Sequence, residues 1–158
     1  MNEQAKWTEV DFDQMSWHDC HINSISFDQA GEWQSDLVLD LDFIVEWLCG
    51  TDKTCRFRIA PAVLRFMNVN NLKLHFSLQF KQPLEISSVE RTEIPTEGYR
   101  QFHWTIVVQH YPELKENYIQ FDATGFAQDL IGNVIETESQ NLTESQRKES
   151  KEGRRTSA

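Results

Sequence analysis

The stretch Asp36-Leu37-Val38-Leu39-Asp40-Leu41-Asp42-Phe43-Ile44-Val45-Glu46-Trp47 decides the fold class. Leu37, Leu39, Leu41, Phe43, Val45 and Trp47 share one parity, and Asp36, Asp40, Asp42 and Glu46 share the other. A period of two over this length specifies a strand with one face buried and one face wet. Val38 and Ile44 interrupt the acidic face, so it is not solvated along its whole length. Gly50 to Lys53 then reads as a turn into Cys55-Arg56-Phe57-Arg58-Ile59, with Cys55, Phe57 and Ile59 inward. Arg56 and Arg58 point outward, across a hairpin from Asp42 and Glu46 or their neighbours, in pairs that stabilise by about 0.2–1 kcal/mol each.

The same alternation recurs on both sides. Upstream, His21 to Phe27 reads as a strand in which Ile22 falls on the wrong parity, a signal for a bulge; Thr8 to Met15 reads as a short helical turn. Downstream, Pro61 is expected to break the ladder. A strand over 71–81 places Leu72, Leu74, Phe76, Leu78 and Phe80 inward, and further strands cover 84–94, 100–109 and 117–123. Trp47, Phe57, Phe76, Trp104 and Phe121 fall at core positions by parity, and Trp7 and Trp33 in loops. Such a series of about seven or eight short strands with turn signals between them predicts a mainly β, antiparallel fold. Sandwich, barrel and curved single sheet remain open. Residues 1–135 form one β-rich domain. Residues 136–158 hold a single large aliphatic side chain, Leu142, and this composition predicts a disordered charged tail.

The net charge of −10 lies before that tail. From Glu136 onward, five carboxylates (Glu136, Glu138, Glu144, Glu149, Glu152) balance Arg147, Lys148, Lys151, Arg154 and Arg155. An acidic body repels phosphate, which argues against nucleic acid or an anionic membrane as partner and suits a basic protein. No apolar leader opens the chain and no stretch approaches the length of a membrane span, so the cytoplasm is the expected compartment. Cys20, Cys49 and Cys55 are three in number and do not suggest a disulfide framework. Cys49 and Cys55 flank the turn and read as two reduced thiols close across a hairpin.

Trp17-His18-Asp19-Cys20-His21 is the densest cluster of chemistry-bearing side chains. With Asp40 or Asp42 from the next strand, His18, Asp19 and His21 could hold a divalent metal. The competing reading is structural: Trp17 anchors the chain, His18 hydrogen-bonds and Asp19 stabilises a turn. Cys20 and His21, adjacent on an extended chain, face apart and do not form a nucleophile–base pair. His75 and His103 read as plain surface residues. No nucleotide, hydrolase or zinc-protease motif is present, and no cofactor is implied.

Trp17-His18-Asp19 before Ile22, the long strand ending in Glu46-Trp47, and Phe57-Arg58-Ile59-Ala60-Pro61-Ala62 with Leu64, Phe66 and Asn68-Val69 together carry a resemblance. Over roughly residues 15–130 the chain resembles a group of small uncharacterised bacterial β-rich proteins with a Trp-His-Asp signature before the first strand. Some similar proteins are described as immunity proteins of toxin systems. The resemblance implies a bacterial cytoplasmic protein and transfers no catalytic residue. The expected function is a non-enzymatic protein-binding module, which the resemblance would make one of immunity type; the alternative is a metal-binding protein or metal-dependent enzyme centred on Trp17 to His21.

Overall fold

A computed structural model describes residues 4–29, 31–78, 83–109 and 117–156. The strands are β1 (Lys6–Thr8), β2 (His21–Gln29), β3 (Ser35–Cys49), β4 (Cys55–Met67), β5 (Asn70–His75), β6 (Glu85–Ile94), β7 (Gln101–Gln109), β8 (Asn117–Ala123), β9 (Gly125–Leu130) and β10 (Ile135–Thr137). A 3-10 helix covers Glu9–Gln14, and α1 covers Glu144–Thr156. The ten strands of the described residues belong to one antiparallel sheet, ordered β1-β9-β4-β3-β2-β6-β7-β8-β5, with β10 also on β4. The sheet is not closed into a barrel, which resolves the three architectures left open by the sequence.

Strands β8 and β9 are separated only by Thr124, yet β8 pairs with β7 and β5 while β9 pairs with β4 and β1. The sheet therefore folds over on itself. Phe66 of β4 meets Trp104 of β7 at 5.0 Å between ring centroids and Phe121 of β8 at 4.8 Å. Phe12 packs on Trp104 at 5.5 Å, and Trp17 on Phe126 at 5.4 Å. Leu37, Leu39, Leu41, Leu64, Ile106 and Ile119 fill the remaining space without solvent contact. Arg91 lies 4.2 Å above the Phe12 ring and bonds Glu9, which fixes the N-terminal segment to β6.

Leu37, Leu39, Leu41 and Phe43 are buried as the alternation specifies, but the face expected to be wet is not, since Asp36 and Asp42 are buried on it. Between Ile44 and Glu46 the β3–β4 register shifts. One extra residue inverts the side-chain faces beyond it. Trp47 is consequently 43% exposed rather than in the core, and it packs edge-on against the buried Phe57 at 5.0 Å. The bulge expected at Ile22 is present, between Ile22 and Ser24. Trp7 lies not in a loop but on β1, 5.3 Å from Phe43.

Three further expectations are corrected. Pro61 does not interrupt β4. Its carbonyl accepts the N–H of Ile131, so its nitrogen faces the same outer edge, at the gap where the neighbour of β4 changes from β10 to β9. No ladder donor is missed there. The strand read over 71–81 ends at His75, at the edge of the sheet; Leu74 within it and Leu78 beyond it are 48% and 42% exposed, and Phe80 lies outside the described residues. Cys49 and Cys55, register partners across the hairpin, are joined as a disulfide with Cα atoms 4.1 Å apart, not left as two thiols.

The largest departure is at the C-terminus. Residues 136–156 are ordered: β10 pairs with Phe57 to Ile59 of β4, Leu142 is buried, and α1 packs on the sheet. Thr143 and Gln146 start the helix with reciprocal bonds, Thr143 N–H to Gln146 Oε1 at 2.8 Å and Gln146 N–H to Thr143 Oγ1 at 3.2 Å. This is a capping box, a start signal that overall composition does not register.

The hairpin tip is also closed by Gly50 N–H to Thr54 O and by Asp52 Oδ1, which accepts from Thr54 Oγ1 at 2.7 Å. The bridge encloses a short loop, so its contribution through the unfolded chain is about 2 kcal/mol. Reduction with dithiothreitol should lower unfolding free energy in urea by no more than about that amount, with the far-ultraviolet spectrum unchanged.

Candidate functional site

Only one ladder pair, His21 with Glu85, joins β2 to β6. The segment before β2 supplies the rest of that seam. Trp17 to Cys20 form a turn closed by Cys20 N–H to Trp17 O at 3.0 Å, with Asp19 in the left-handed region at φ 61°. A positive φ at the third position defines the turn class, and Asp is among the few non-glycine residues that tolerate it. The turn aims backbone groups at β6: Asp19 N–H donates to Ile86 O at 2.8 Å, Ile86 N–H to Cys20 O at 2.9 Å and Ile22 N–H to Leu84 O at 2.7 Å.

The five side chains divide between two sides of this seam. Trp17 is buried and donates Nε1–H to Gln128 Oε1 at 2.7 Å. Cys20 is fully buried, accepts Ile44 N–H on Sγ at 3.4 Å, and burial pushes its thiol up to about 12. At that value the thiolate is not available as nucleophile or ligand. His18 is half exposed, donates Nδ1–H to Ser87 O at 3.0 Å and turns Nε2 toward Asp19 Oδ1 at 3.4 Å. Its ring stacks on Trp47, with centroids 6.5 Å apart and planes 19° apart. Beside it runs a shallow groove of about 380 Å³ lined by Phe12, Met15, Trp17, His18, Ser87 and Val89.

His21 belongs to the other side, opposite Asp42 in β3 and Glu85 in β6. Burial lowers its pKa, an effect that the nearby Asp42 partly opposes. Burial, and next the charge of Asp19, raise that of Glu85. Asp42 is completely buried, and its strand partners on β4 cannot neutralise it: Pro61 stands opposite Asp42, and Val63 opposite Asp40. The residues that do so come from the C-terminal segment. Asp42 accepts Leu142 N–H at 3.0 Å, Asn23 Nδ2–H at 3.2 Å and the guanidinium of Arg147, which also bonds Asp40 and the Leu41 carbonyl. Gln140 donates to Asp19 Oδ2 at 3.0 Å, and Asn141 hydrogen-bonds Glu85. Removing Arg147 from a folded molecule would strand a buried carboxylate, a change that costs about 3–5 kcal/mol.

The sequence singled out Trp17 to His21, and the structure places all five at this seam. It does not bring His18, Asp19 and His21 together with Asp40 or Asp42 as a ligand sphere. Among the described residues, no group of three or more His, Cys, Asp or Glu side chains is placed to hold a metal ion. Glu85, Gln140, Asn141, Leu142 and Arg147 were missed. The one signal for the last four was the capping box at Thr143 and Gln146, because Asp40 and Asp42 read from the sequence as solvated. Arg58 pairs with Glu46 at 2.9 Å as expected, but Arg56 pairs with Glu136 of β10, not with Asp42. His103 is not isolated, since its Nδ1 lies 2.8 Å from Asp122 across β7 and β8. No protein-family model matches the chain, and no curated protein or solved structure matches it either.

Neutral His21 is favoured in the fold, whereas the unfolded chain binds a proton near its ordinary value of 6.5. Its contribution is therefore fully present above that pH and declines as pH falls toward the depressed folded value. His21→Gln should flatten the loss of stability between about pH 6.5 and pH 5, read from urea midpoints of the two proteins in parallel. Trp17→Phe, which leaves the buried Gln128 amide oxygen without its donor, should cost about 1–3 kcal/mol at all pH values.

Proposed function

We propose that the protein is a non-enzymatic binding module for a basic protein partner. The observation that carries this reading is Trp47, 43% exposed, backed by Phe57 and by the stacked His18. Asp19 lies against the same His18, while Glu46, the strand neighbour of Trp47, faces the other way and is paired with Arg58. A rigid, exposed indole on an acidic body suits a lysine or arginine, through the ring face and the surrounding charge together. Aromatic anchors of this kind carry a large share of interface energy.

Charge supports the same reading. The net −10 steers a cationic protein toward the molecule and disfavours phosphate backbones. None of the described helices is long and apolar enough to cross a membrane. The resemblance to immunity proteins gives the reading its biological form, a cytoplasmic partner that masks a basic toxin. Were the bridge between Cys49 and Cys55 reduced by glutathione, the Asp52–Thr54 bonds would still hold the tip.

The test is capture from the producing cells on immobilised full-length protein, followed by identification of what is retained. A basic protein should be held at about 0.1 M salt and released near 1 M, and Trp47→Ala should retain at least about tenfold less of it. Retention of an acidic protein, or equal retention by Trp47→Ala, overturns the reading.

A further inference from the structure

Helix α1 has no apolar side chain from Glu144 to Thr156. Hydrophobic burial therefore does not hold it, and a helix of this length is marginal alone. Its order comes from docking. The docked stripe is Arg147, Ser150, Lys151 and Arg154, at the i, i+3, i+4, i+7 spacing of one helix face. Arg147 binds Asp40 and Asp42; Lys151 Nζ lies 3.9 Å from Asp40; Ser150 Oγ donates to Asn133 O at 2.6 Å; Arg154 donates to Gly132 O at 3.3 Å.

With Gln140 on Asp19 and Asn141 on Glu85, the segment covers four carboxylates along the seam: Asp19, Glu85, Asp42 and Asp40. The fit is incomplete. His21 Nδ1 and Asn141 Oδ1 are buried there with no hydrogen-bond partner. The aromatic core lies on the other face of the sheet and takes nothing from α1, and of the whole C-terminal segment only Leu142 joins the buried cluster. An element held by charge, imperfectly satisfied and joined to the core by Leu142 alone has the properties of a local opening unit.

We propose that residues 138–156 form a detachable strap, a self-ligand whose arginine-bearing helix occupies the acidic row and is displaced by a basic helix of the partner. The proposal deepens the reading above, since it names the form of the basic partner, but strap opening is measurable with no partner present. Closed, the strap leaves Trp47 as the first contact. Open, it adds Asp40 and Asp42 to the interface, and both can then receive a guanidinium from outside.

Two measurements on the full-length protein decide it. In native-state hydrogen exchange, the amides of α1 beyond its first turn should exchange faster than those of β3 and β4, with no dependence on low urea. Exchange of the helix only together with the sheet overturns the proposal. In the second, a fluorescent peptide with the sequence of residues 138–156 is titrated into wild type, Arg147→Ala and Ser150→Pro. A proline at 150 breaks α1 within the strap, so that variant releases the helix without changing any charge or any residue of the surface it docks on. Because a closed strap lowers apparent affinity by the fraction open, both variants should bind the peptide at least about tenfold tighter than wild type. Adding Asp42→Asn to Ser150→Pro should abolish that gain. Equal binding by all three proteins overturns the proposal, and hydrogen exchange on the wild type decides it should both variants fail to fold. Failure to find a basic partner by capture would leave peptide binding intact, so the two readings fail separately.

Discussion

A sheet that doubles back on itself needs a joint, and here it is made by a left-handed residue. Strands β2 and β6 share one ladder pair, so continuity across them depends on the turn from Trp17 to Cys20 and on Asp19 at φ 61° within it. That conformation sends the Asp19 N–H and the Cys20 carbonyl to Ile86 and leaves Ile22 to bond Leu84. The same turn drops Trp17 into the aromatic cluster, where it meets Phe126 and Gln128 of β9. One short segment thus binds β6 laterally and the opposite wall of the core through its indole. The chemistry-bearing appearance of Trp17 to His21 follows from this task, because a joint between sheet halves consumes polar side chains as backbone partners.

The alternation over Asp36 to Phe43 was enough to specify β3, since a strand buried on one face leaves little freedom of register. It failed from Ile44 onward because a bulge is a tertiary choice; Ile44 interrupts the alternation just as Val38 does, but only at Ile44 does a register shift follow and send Trp47 outward. β5 failed for a related reason. Leu72, Leu74, Phe76 and Leu78 alternate as a core strand does, but the parity of a strand says which residues share a face and not whether anything covers it. The seam was legible as a cluster of residue types and illegible as a role, because the partners of Asp19 and Asp42 lie about a hundred residues away in the chain.

The C-terminal segment shows why a composition rule misled. Low apolar content predicts disorder when hydrophobic burial is the only force available to offset ordering entropy. Here the folded body supplies another. A carboxylate with no solvent contact requires a partner, and satisfying Asp42 ties the stability of the sheet to the order of Arg147 and Leu142. The tail is ordered by a need of the body, not by a core of its own.

Arginine side chains meet the carboxylates along β3 in turn, and the origin of each decides what it can do. Arg65 of β4 bonds Asp36 at 3.0 Å and Asp28 at 2.8 Å, and those two acids raise its own pKa. Arg58 of the same strand bonds Glu46. Both are fixed by the ladder that carries them, so those pairs persist as long as β3 and β4 remain joined. At the middle of the strand β4 offers only Val63 and Pro61, and the guanidinium for Asp40 and Asp42 arrives from a helix outside the ladder. The one break in the strand-borne arginines therefore coincides with the most deeply buried acid on β3. A body that neutralised Asp42 from β4 would gain nothing from a C-terminal helix; this one depends on a charge from an element that can leave, and that dependence makes the acidic row a surface with two states.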